Sequence, residues 1–119
     1  MLVKLFARLT GGGYRWLSAI DYKSDFIDRK VDHVLIDVRT LEEYKRGHVS
    51  KARLIPIGEF SARLSEVPTD VPVVLVCQSG SRSARAAAML ARMGHNEVYN
   101  LEGGIPACTR VGLRIKRGS

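Results

Sequence analysis

The sequence predicts an α/β fold in which a central, mainly parallel sheet carries helices on both faces. Strand-like and helix-like patterns alternate along the chain, as they do in α/β domains. The dense apolar run Val73–Val76 is typical of a strand that is buried on both faces. With 119 residues, 45% of them apolar and 26% charged, the chain is long enough for one domain with a sizeable core.

Residues 1–16 are predicted to be an N-terminal extension or edge segment, and residues 17–117 to be the domain itself. Lys4 and Arg8 interrupt every apolar run that a secretory signal would need. No stretch approaches the ~20 apolar residues that span a bilayer. We therefore expect a short strand or helix on the domain edge, followed by a glycine hinge at 11–13. A presequence formed by residues 1–15, or an appendage that packs on a partner chain, is the alternative.

The elements of the domain are predicted in order from their patterns. Ser18 is a suitable N-cap for a first helix because Asp21 follows at the third helical position. Tyr22, Phe26 and Ile27 then recur on one face of that helix. Further strands are expected at 33–38, 52–55, 73–77 and 96–101, and helices at 41–46, 58–65, 82–93 and 104–110.

Asp37 and Arg39 stand at the end of the strand predicted at 33–38, where they are candidates for catalysis or for structure. An arginine at a strand end can pair with a carboxylate one turn into the next helix, and Glu43 occupies that position. We therefore predict that Arg39 and Glu43 form a structural pair that fixes this corner of the domain.

Cys77 is the candidate nucleophile. It ends a buried strand and precedes a small polar loop that leads into a helix rich in Ala, Leu, Met and Arg. Backbone N–H groups of such a loop converge on one point, and the helix dipole favours an anion there. Together with a nearby arginine, they lower the pKa of a cysteine from about 8.5 toward neutrality. The predicted substrate-binding residues, which supply loop amides and charge, are Gln78, Ser79, Gly80, Ser81 and Arg82.

The spacing of Cys77 and Arg82, C-x4-R, narrows the chemistry. The cysteine phosphatases use a similar cradle that is one residue longer and fits a tetrahedral phosphate. The shorter loop resembles the active-site loop of the rhodanese sulfurtransferases. Other motifs of that family follow in the same order, so that the resemblance covers roughly residues 17–117. They are Asp37-Val38-Arg39, Gly47-His48-Val49 leading to Ile55-Pro56, and Glu102-Gly103-Gly104.

Three positions depart from the family pattern. Lys51 replaces a glycine that usually precedes the alanine of this segment, which affects a turn. Ile105 and Cys108 stand where tryptophans are common in the family. Cys108 is either a core residue or a thiol that resolves an oxidised form of Cys77. His48 is predicted to be structural rather than catalytic.

The resemblance implies a three-layer rhodanese-like domain that acts as a sulfurtransferase. The Cys77 thiolate would take the outer sulfur of a donor such as thiosulfate and pass it from a persulfide to cyanide, a thiol or a protein acceptor. No metal or organic cofactor is implied. A catalytic thiol is typical of a reducing compartment, so we expect a cytoplasmic protein, or an organellar one if residues 1–15 act as a presequence.

Two other function classes stay open. One is a module that relays sulfur to a dedicated partner, or only binds it, without turnover. The other is an enzyme like the phosphatases or arsenate reductases on the same scaffold. The net charge of +7 favours anionic substrates or an acidic partner. Nucleic acid is not an expected partner, because no basic stretch is interleaved with aromatic residues.

Overall fold

The computed structural model describes residues 8–9 and 13–119. Within these residues, six strands form one sheet in the order β1-β2-β7-β6-β3-β5, and β4 and β8 form a separate pair. The strands are β1 (Arg8–Leu9), β2 (Arg15–Ser18), β3 (Val34–Asp37), β4 (His48–Val49), β5 (Arg53–Leu54), β6 (Val73–Val76), β7 (Val98–Glu102) and β8 (Ile115–Lys116). The α-helices are α1 (Ala19–Tyr22), α2 (Leu41–Arg46), α3 (Ile57–Phe60), α4 (Ser81–Arg92) and α5 (Gly104–Arg110), and a 3-10 helix (Ser61–Glu66) continues α3.

The sheet confirms the predicted α/β class. Strands β2, β7, β6, β3 and β5 run parallel, while β1 pairs antiparallel with β2 at the edge. All four residues of β6 are buried, as expected for a central strand covered on both faces. The carboxyl ends of the parallel strands therefore meet at one edge of the sheet, and the loop after β6 lies there.

Two apolar clusters fill the core, one on each face of the sheet. Tyr22, Phe26 and Cys108 belong to the cluster under α1 and α5. Phe60 and Leu90 belong to the cluster under α3 and α4. The domain thus has the three layers that the resemblance implied.

The sheet begins earlier in the chain than the sequence patterns indicated. Arg15–Ser18 forms β2 beside β7, ahead of the strand predicted at 33–38. Ser18 ends this strand and caps α1 as predicted, because its hydroxyl accepts a hydrogen bond from the Asp21 N–H at 3.1 Å. The predictions for residues 1–7 and for most of the hinge at 11–13 lie outside the described residues. The division into 1–16 and 17–117 stays a prediction.

Ile27 does not share the buried face of Tyr22 and Phe26. Residues Lys23–Ile27 continue α1 as a π-helix. The Asp28 N–H donates to the Lys23 carbonyl at 2.8 Å, which closes a wider turn than an α-helix does. The wider turn keeps Phe26 fully buried and leaves Ile27 40% exposed.

The basic residues near the C-terminus pack against the rest of the domain. Ile115 and Lys116 pair as β8 with β4, and the preceding Leu113 is buried. The Gly118 N–H donates to the carbonyl of Lys45 at 2.8 Å. Leu113 and Ile115, two positions apart, pack on the core cluster under α1 and α5.

Candidate active site

Cys77 follows β6 directly and lies at the carboxyl edge of the sheet, as predicted. It is 1% exposed. The chain turns back toward its sulfur at Gly80, which has a φ of +107°, a conformation that favours glycine. The Gly80 N–H donates to Cys77 Sγ at 3.0 Å, and α4 begins at the next residue. The short loop therefore folds around the sulfur.

Ser83 is a site residue that the sequence analysis missed. Its hydroxyl oxygen lies 3.3 Å from Cys77 Sγ, and its side chain is fully buried. Ser83 occupies the buried stripe of α4 together with Ala86, Ala87 and Leu90. The sequence does contain a feature that indicates Ser83: it is a serine on the apolar face of a helix, where a buried hydroxyl needs a hydrogen-bond partner.

Hydrogen bonds to the sulfur favour the thiolate form of Cys77. Burial raises the pKa of the Cys77 thiol. The Ser83 hydroxyl and the backbone N–H groups of Ser83, Gly80 and Ser79 outweigh that effect, and the pKa is lowered from its usual value. Among the predicted loop amides, those of Ser79 and Gly80 act on the sulfur.

Arg82 is bound to Glu43 rather than directed freely at the sulfur. Its Nη1 and Nη2 donate to the two carboxylate oxygens of Glu43 at 2.7 and 2.9 Å. These bonds lower the pKa of Glu43 to about 2. Since Glu43 lies in α2 and Arg82 in α4, the pair joins the two helices in front of the loop.

The predicted pair of Arg39 and Glu43 is wrong. Arg39 binds Asp37, with Nε 3.0 Å from Oδ1 and Nη2 2.8 Å from Oδ2, and both side chains are buried. Arg39 Nη2 also donates to the Gly47 carbonyl at 2.7 Å. Asp37 is only two residues away and lies on the same buried corner. The Glu43 carboxylate meanwhile caps the Thr40 N–H at the start of α2 and faces Arg82.

A cleft of about 400 Å³ opens beside the loop. Gln78 and Ile105 line it on the sides of the active-site loop and α5, and Arg46 and Ile115 line it on the side of α2 and β8. Ile105 is placed by a hydrogen bond from its N–H to the Cys77 carbonyl at 3.1 Å. The residue that stands where a tryptophan is common thus forms a wall of the cleft.

The remaining candidates take structural positions. His48 is buried, stacks on Tyr44 at 3.6 Å between ring centroids, and hydrogen-bonds the Tyr44 carbonyl through Nδ1. Cys108 is fully buried in the cluster on the α1 and α5 face, whereas Cys77 belongs to the cluster on the other face. Burial and, secondarily, the Asp37 carboxylate raise the pKa of Cys108 to about 11. Its packing is that of a core residue.

The described part of the chain holds no group of three or more His, Cys, Asp or Glu side chains arranged for a metal ion. Its helices are also too short or too polar to cross a bilayer.

Comparison with known proteins identifies the family. A family model described as the rhodanese-like domain matches residues 18–110. The chain belongs to this family. The match includes Cys77, its loop and both ion pairs of the site, so the predicted resemblance is confirmed.

Relatives of this rhodanese-like domain differ in how much of their length it covers. An uncharacterized protein, YqhL of Bacillus subtilis, is 49% identical over 70 residues, which are 59% of this chain and 56% of YqhL. The chain thus spans little more than half of that relative. A protein of Allochromatium vinosum named sulfurtransferase is 43% identical over 84 residues, which are 71% of this chain and 78% of that protein.

Solved structures give the same family. The crystal structure of a rhodanese-related protein from Thermoplasma volcanium superposes with a TM-score of 0.76 at 29% identity. The superposition covers 87% of this chain and 98% of the other. The rhodanese-like fold of the chain is therefore shown by sequence and by structure.

Proposed function

We propose that this rhodanese-like domain is a sulfurtransferase, which moves a sulfane sulfur from a donor such as thiosulfate to a thiophilic acceptor through a persulfide on Cys77. The observation that carries the proposal is the set of donors around the Cys77 sulfur. The Gly80 N–H lies at 3.0 Å and the Ser83 hydroxyl at 3.3 Å, at the first turn of a helix of 12 residues. A thiolate placed there is ready to attack without a general base.

In the first half-reaction, the Cys77 thiolate attacks the outer sulfur of thiosulfate. A bond forms between that sulfur and Cys77 Sγ, and the bond to the sulfonate sulfur breaks. Sulfite leaves with the bonding electron pair, and the negative charge of the thiolate passes to the outer sulfur of the persulfide. The loop N–H groups and the positive end of α4 stabilise the anion in both states.

In the second half-reaction, a nucleophile such as cyanide or a thiolate attacks the outer sulfur. The bond between the two sulfurs breaks, and Cys77 Sγ leaves as the thiolate from which the cycle began. No proton has to be abstracted from Cys77 in either step. The residues around Cys77 therefore need to stabilise charge rather than to move a proton.

The pairing of Arg82 argues against the phosphatase alternative. In a phosphate cradle, an arginine directs a pair of parallel N–H groups at the oxygens of the substrate. Here the Nη1 and Nη2 nitrogens of Arg82 each donate to Glu43 instead, at 2.7 and 2.9 Å. Attraction of an anionic donor then depends on the loop N–H groups and on the net charge of +7.

A sulfur relay to one protein partner is the second candidate, and the cleft favours it. The cleft of about 400 Å³ is far larger than thiosulfate, and the exposed Arg46 lies on its rim. A segment of an acidic partner that carries a thiol would fit this opening next to the Cys77 loop. Such a partner would replace free thiol or cyanide as the acceptor.

The decisive experiment is intact-mass measurement after incubation with thiosulfate. We expect the wild type to gain one sulfur atom (~32 Da), which cyanide removes, and Cys77→Ser to gain none. Cys108→Ala is the matched control and should still gain the sulfur. A wild type that gains no mass from thiosulfate but does so from a protein persulfide would favour the relay. No gain from any donor would contradict the proposal.

A further inference from the structure

Asn100 is a polar residue whose side chain lies in the apolar core of the domain. It is fully buried in β7, in register with Leu75 of β6 and Trp16 of β2. Its neighbour Leu101 points to the opposite core cluster, so the Asn100 side chain faces α4. An amide in such a position costs stability unless its polar atoms are bound.

Both ends of the Asn100 amide are bound to the active-site loop and helix. Its Nδ2 donates to the Gly80 carbonyl at 3.0 Å, and its Oδ1 accepts from the Ser83 hydroxyl at 2.5 Å. The orientation of the amide follows from these contacts, because only Nδ2 can donate to a carbonyl oxygen. Oδ1 must therefore face Ser83.

Ser83 has one hydroxyl hydrogen and two acceptors within reach. Asn100 Oδ1 lies 2.5 Å and Cys77 Sγ 3.3 Å from the Ser83 oxygen. The hydroxyl can donate to one acceptor at a time. When Cys77 is a neutral thiol, its S–H can donate to Ser83 while Ser83 donates to Asn100. When Cys77 is a thiolate, the better bond is the one from Ser83 to the sulfur.

We propose that Asn100 is a positioning residue that competes with Cys77 for the hydroxyl hydrogen of Ser83, and so sets how strongly Ser83 stabilises charge on the sulfur. For its part in turnover, this inference rests on the proposed sulfur transfer. In the thiolate the hydroxyl donates to Sγ. In the persulfide the charge lies on the outer sulfur, and the hydroxyl returns to Asn100. When the acceptor removes the outer sulfur, the hydroxyl turns back to the leaving thiolate.

Only rotation of the hydroxyl is needed for this exchange. No covalent bond to hydrogen breaks, and the Asn100 Nδ2 bond to Gly80 stays in place throughout. That bond is made to the carbonyl of Gly80, the residue whose N–H donates to Cys77 Sγ at 3.0 Å. The same carbonyl also accepts a hydrogen bond from the Ala84 N–H at 3.0 Å, so Gly80 keeps a partner in α4 when Asn100 is replaced.

The other charged groups near Cys77 are the same in the variants that test this idea. Arg82 of α4 is paired with Glu43 of α2, and Arg39 with Asp37 at the end of β3. A change in the Cys77 pKa on substitution of Asn100 therefore reports on Ser83 and the loop.

The test is the Cys77 pKa in Asn100→Leu, which keeps the shape of the amide without its donor and acceptor. The pKa is obtained from the pH dependence of iodoacetamide alkylation, followed on the Cys77 peptide by mass spectrometry. We expect the pKa to fall by about 0.5–1 unit, a three- to tenfold higher ratio of thiolate to thiol, because Ser83 then donates to the sulfur alone. In Ser83→Ala the same substitution should cause no fall.

A structural role for Asn100 makes the opposite prediction. A loosened loop would withdraw the Gly80 N–H and raise the Cys77 pKa with or without Ser83. Such a rise, an unchanged pKa, or an equal fall in Ser83→Ala would overturn the proposal. Asn100→Ala serves as the second variant should leucine prevent folding, as judged by circular dichroism. Failure of sulfur transfer itself would appear as the absence of a mass gain in the wild type, and would leave this pKa comparison valid.

Discussion

Among single residues, Glu43 connects the start of α2 to α4. Its carboxylate accepts hydrogen bonds from the Thr40 N–H at 3.0 Å and from both terminal nitrogens of Arg82. Glu43 therefore starts α2 and at the same time neutralises the charge nearest to the active-site loop. The Glu43 carboxylate therefore reduces the effect of the positive charge of Arg82 on Cys77.

Replacement of Glu43 by glutamine should make Cys77 more acidic and the domain less stable. The charge of Arg82 is then uncompensated, so we expect a lower Cys77 pKa in the alkylation profile. We also expect a loss of about 1 kcal/mol in urea unfolding at pH 7. Glu66→Gln is the matched control because Glu66 pairs with Arg63 on the exposed surface away from the site. An unchanged or higher Cys77 pKa in Glu43→Gln would contradict this role.

The stability difference between wild type and Glu43→Gln should depend on pH. The pKa of Glu43 is lowered from its usual 4.5 to about 2 in the folded protein. A carboxyl group whose pKa is lowered by folding stabilises the protein above its unfolded pKa. We therefore expect the full difference above pH 4.5 and its loss as the pH falls toward 2. A difference that stays constant over this range would show that the ion pair is not its source.

Lys51 has a backbone conformation that suits the glycine usual at its position in the family. Its φ is +72°, and the turn is closed by the Ala52 N–H, which donates to the Val49 carbonyl at 3.0 Å. The turn therefore holds a residue with a Cβ in the left-handed region, which strains its backbone. Lys51→Gly should raise the free energy of unfolding by about 1 kcal/mol, and Lys51→Ala should not. If Lys51→Ala also raised the free energy of unfolding, the lost charge and not the backbone strain would be the cause.

Among the elements, the start of α5 determines how closely the chain can pack on the active-site loop. Gly104 has a φ of +59°, and a Cβ there would lie 2.5 Å from the Cys77 carbonyl oxygen and against the Gln78 carbonyl. Gly104 is therefore required by packing against the loop as well as by backbone conformation, whereas a Cβ at Gly103, with a φ of +80°, would lie 2.8 Å from the Ala107 Cβ.

Gly104→Ala should displace the loop and make Cys77 less reactive toward alkylation. We expect a fall in the alkylation rate of Cys77 at pH 7 by about tenfold, since the Gly80 N–H and Ser83 hydroxyl lose their alignment with the sulfur. Gly112→Ala is the matched control, because Gly112 has a φ of +85° but no neighbouring atom within 4 Å of the added Cβ. Both variants carry backbone strain, and only Gly104→Ala should change Cys77. Equal effects on alkylation would contradict the packing argument.

Elements with a strong local pattern were predictable, and short or paired ones were not. Val73–Val76 and the helix after the Cys77 loop follow from apolar runs and helix propensity. The strands β4 and β8 have two residues each, too few for a period to appear. They depend on the tertiary contact between them. The π-helix at Lys23–Ile27 was missed for a similar reason, since the spacing of Tyr22 and Phe26 also fits an α-helix.

Across the whole molecule, the sequence predicted the position of Cys77 at the end of a buried strand better than it predicted the side chains around it. Cys77 followed from its place after a strand and before a helix. Asn100 lies on another strand, 20 residues from the Gly80 carbonyl that it binds, and Arg82 and Glu43 are 39 residues apart. Such partners are chosen by the packing of elements. In the sequence, such long-range partners are indicated only by polar residues at core positions, here Ser83 and Asn100.

The excess of positive charge should speed the encounter with an anionic donor. The net charge of +7 attracts small anions, among them the proposed donor thiosulfate, and the exposed Arg46 on the rim of the cleft adds a local field. We expect kcat/KM for thiosulfate to fall several-fold as KCl is raised from roughly 20 to 300 mM, because the Debye length shrinks over this range. An organic thiosulfonate, which carries one negative charge and leaves as a sulfinate after giving up its outer sulfur, is the control donor and should depend less on salt than doubly charged thiosulfate. Arg46→Gln should weaken the salt dependence with thiosulfate, whereas Arg29→Gln, on an exposed turn after the π-helix, should change it less. An equal dependence for the two donors would mean that salt acts on the protein and not on the encounter.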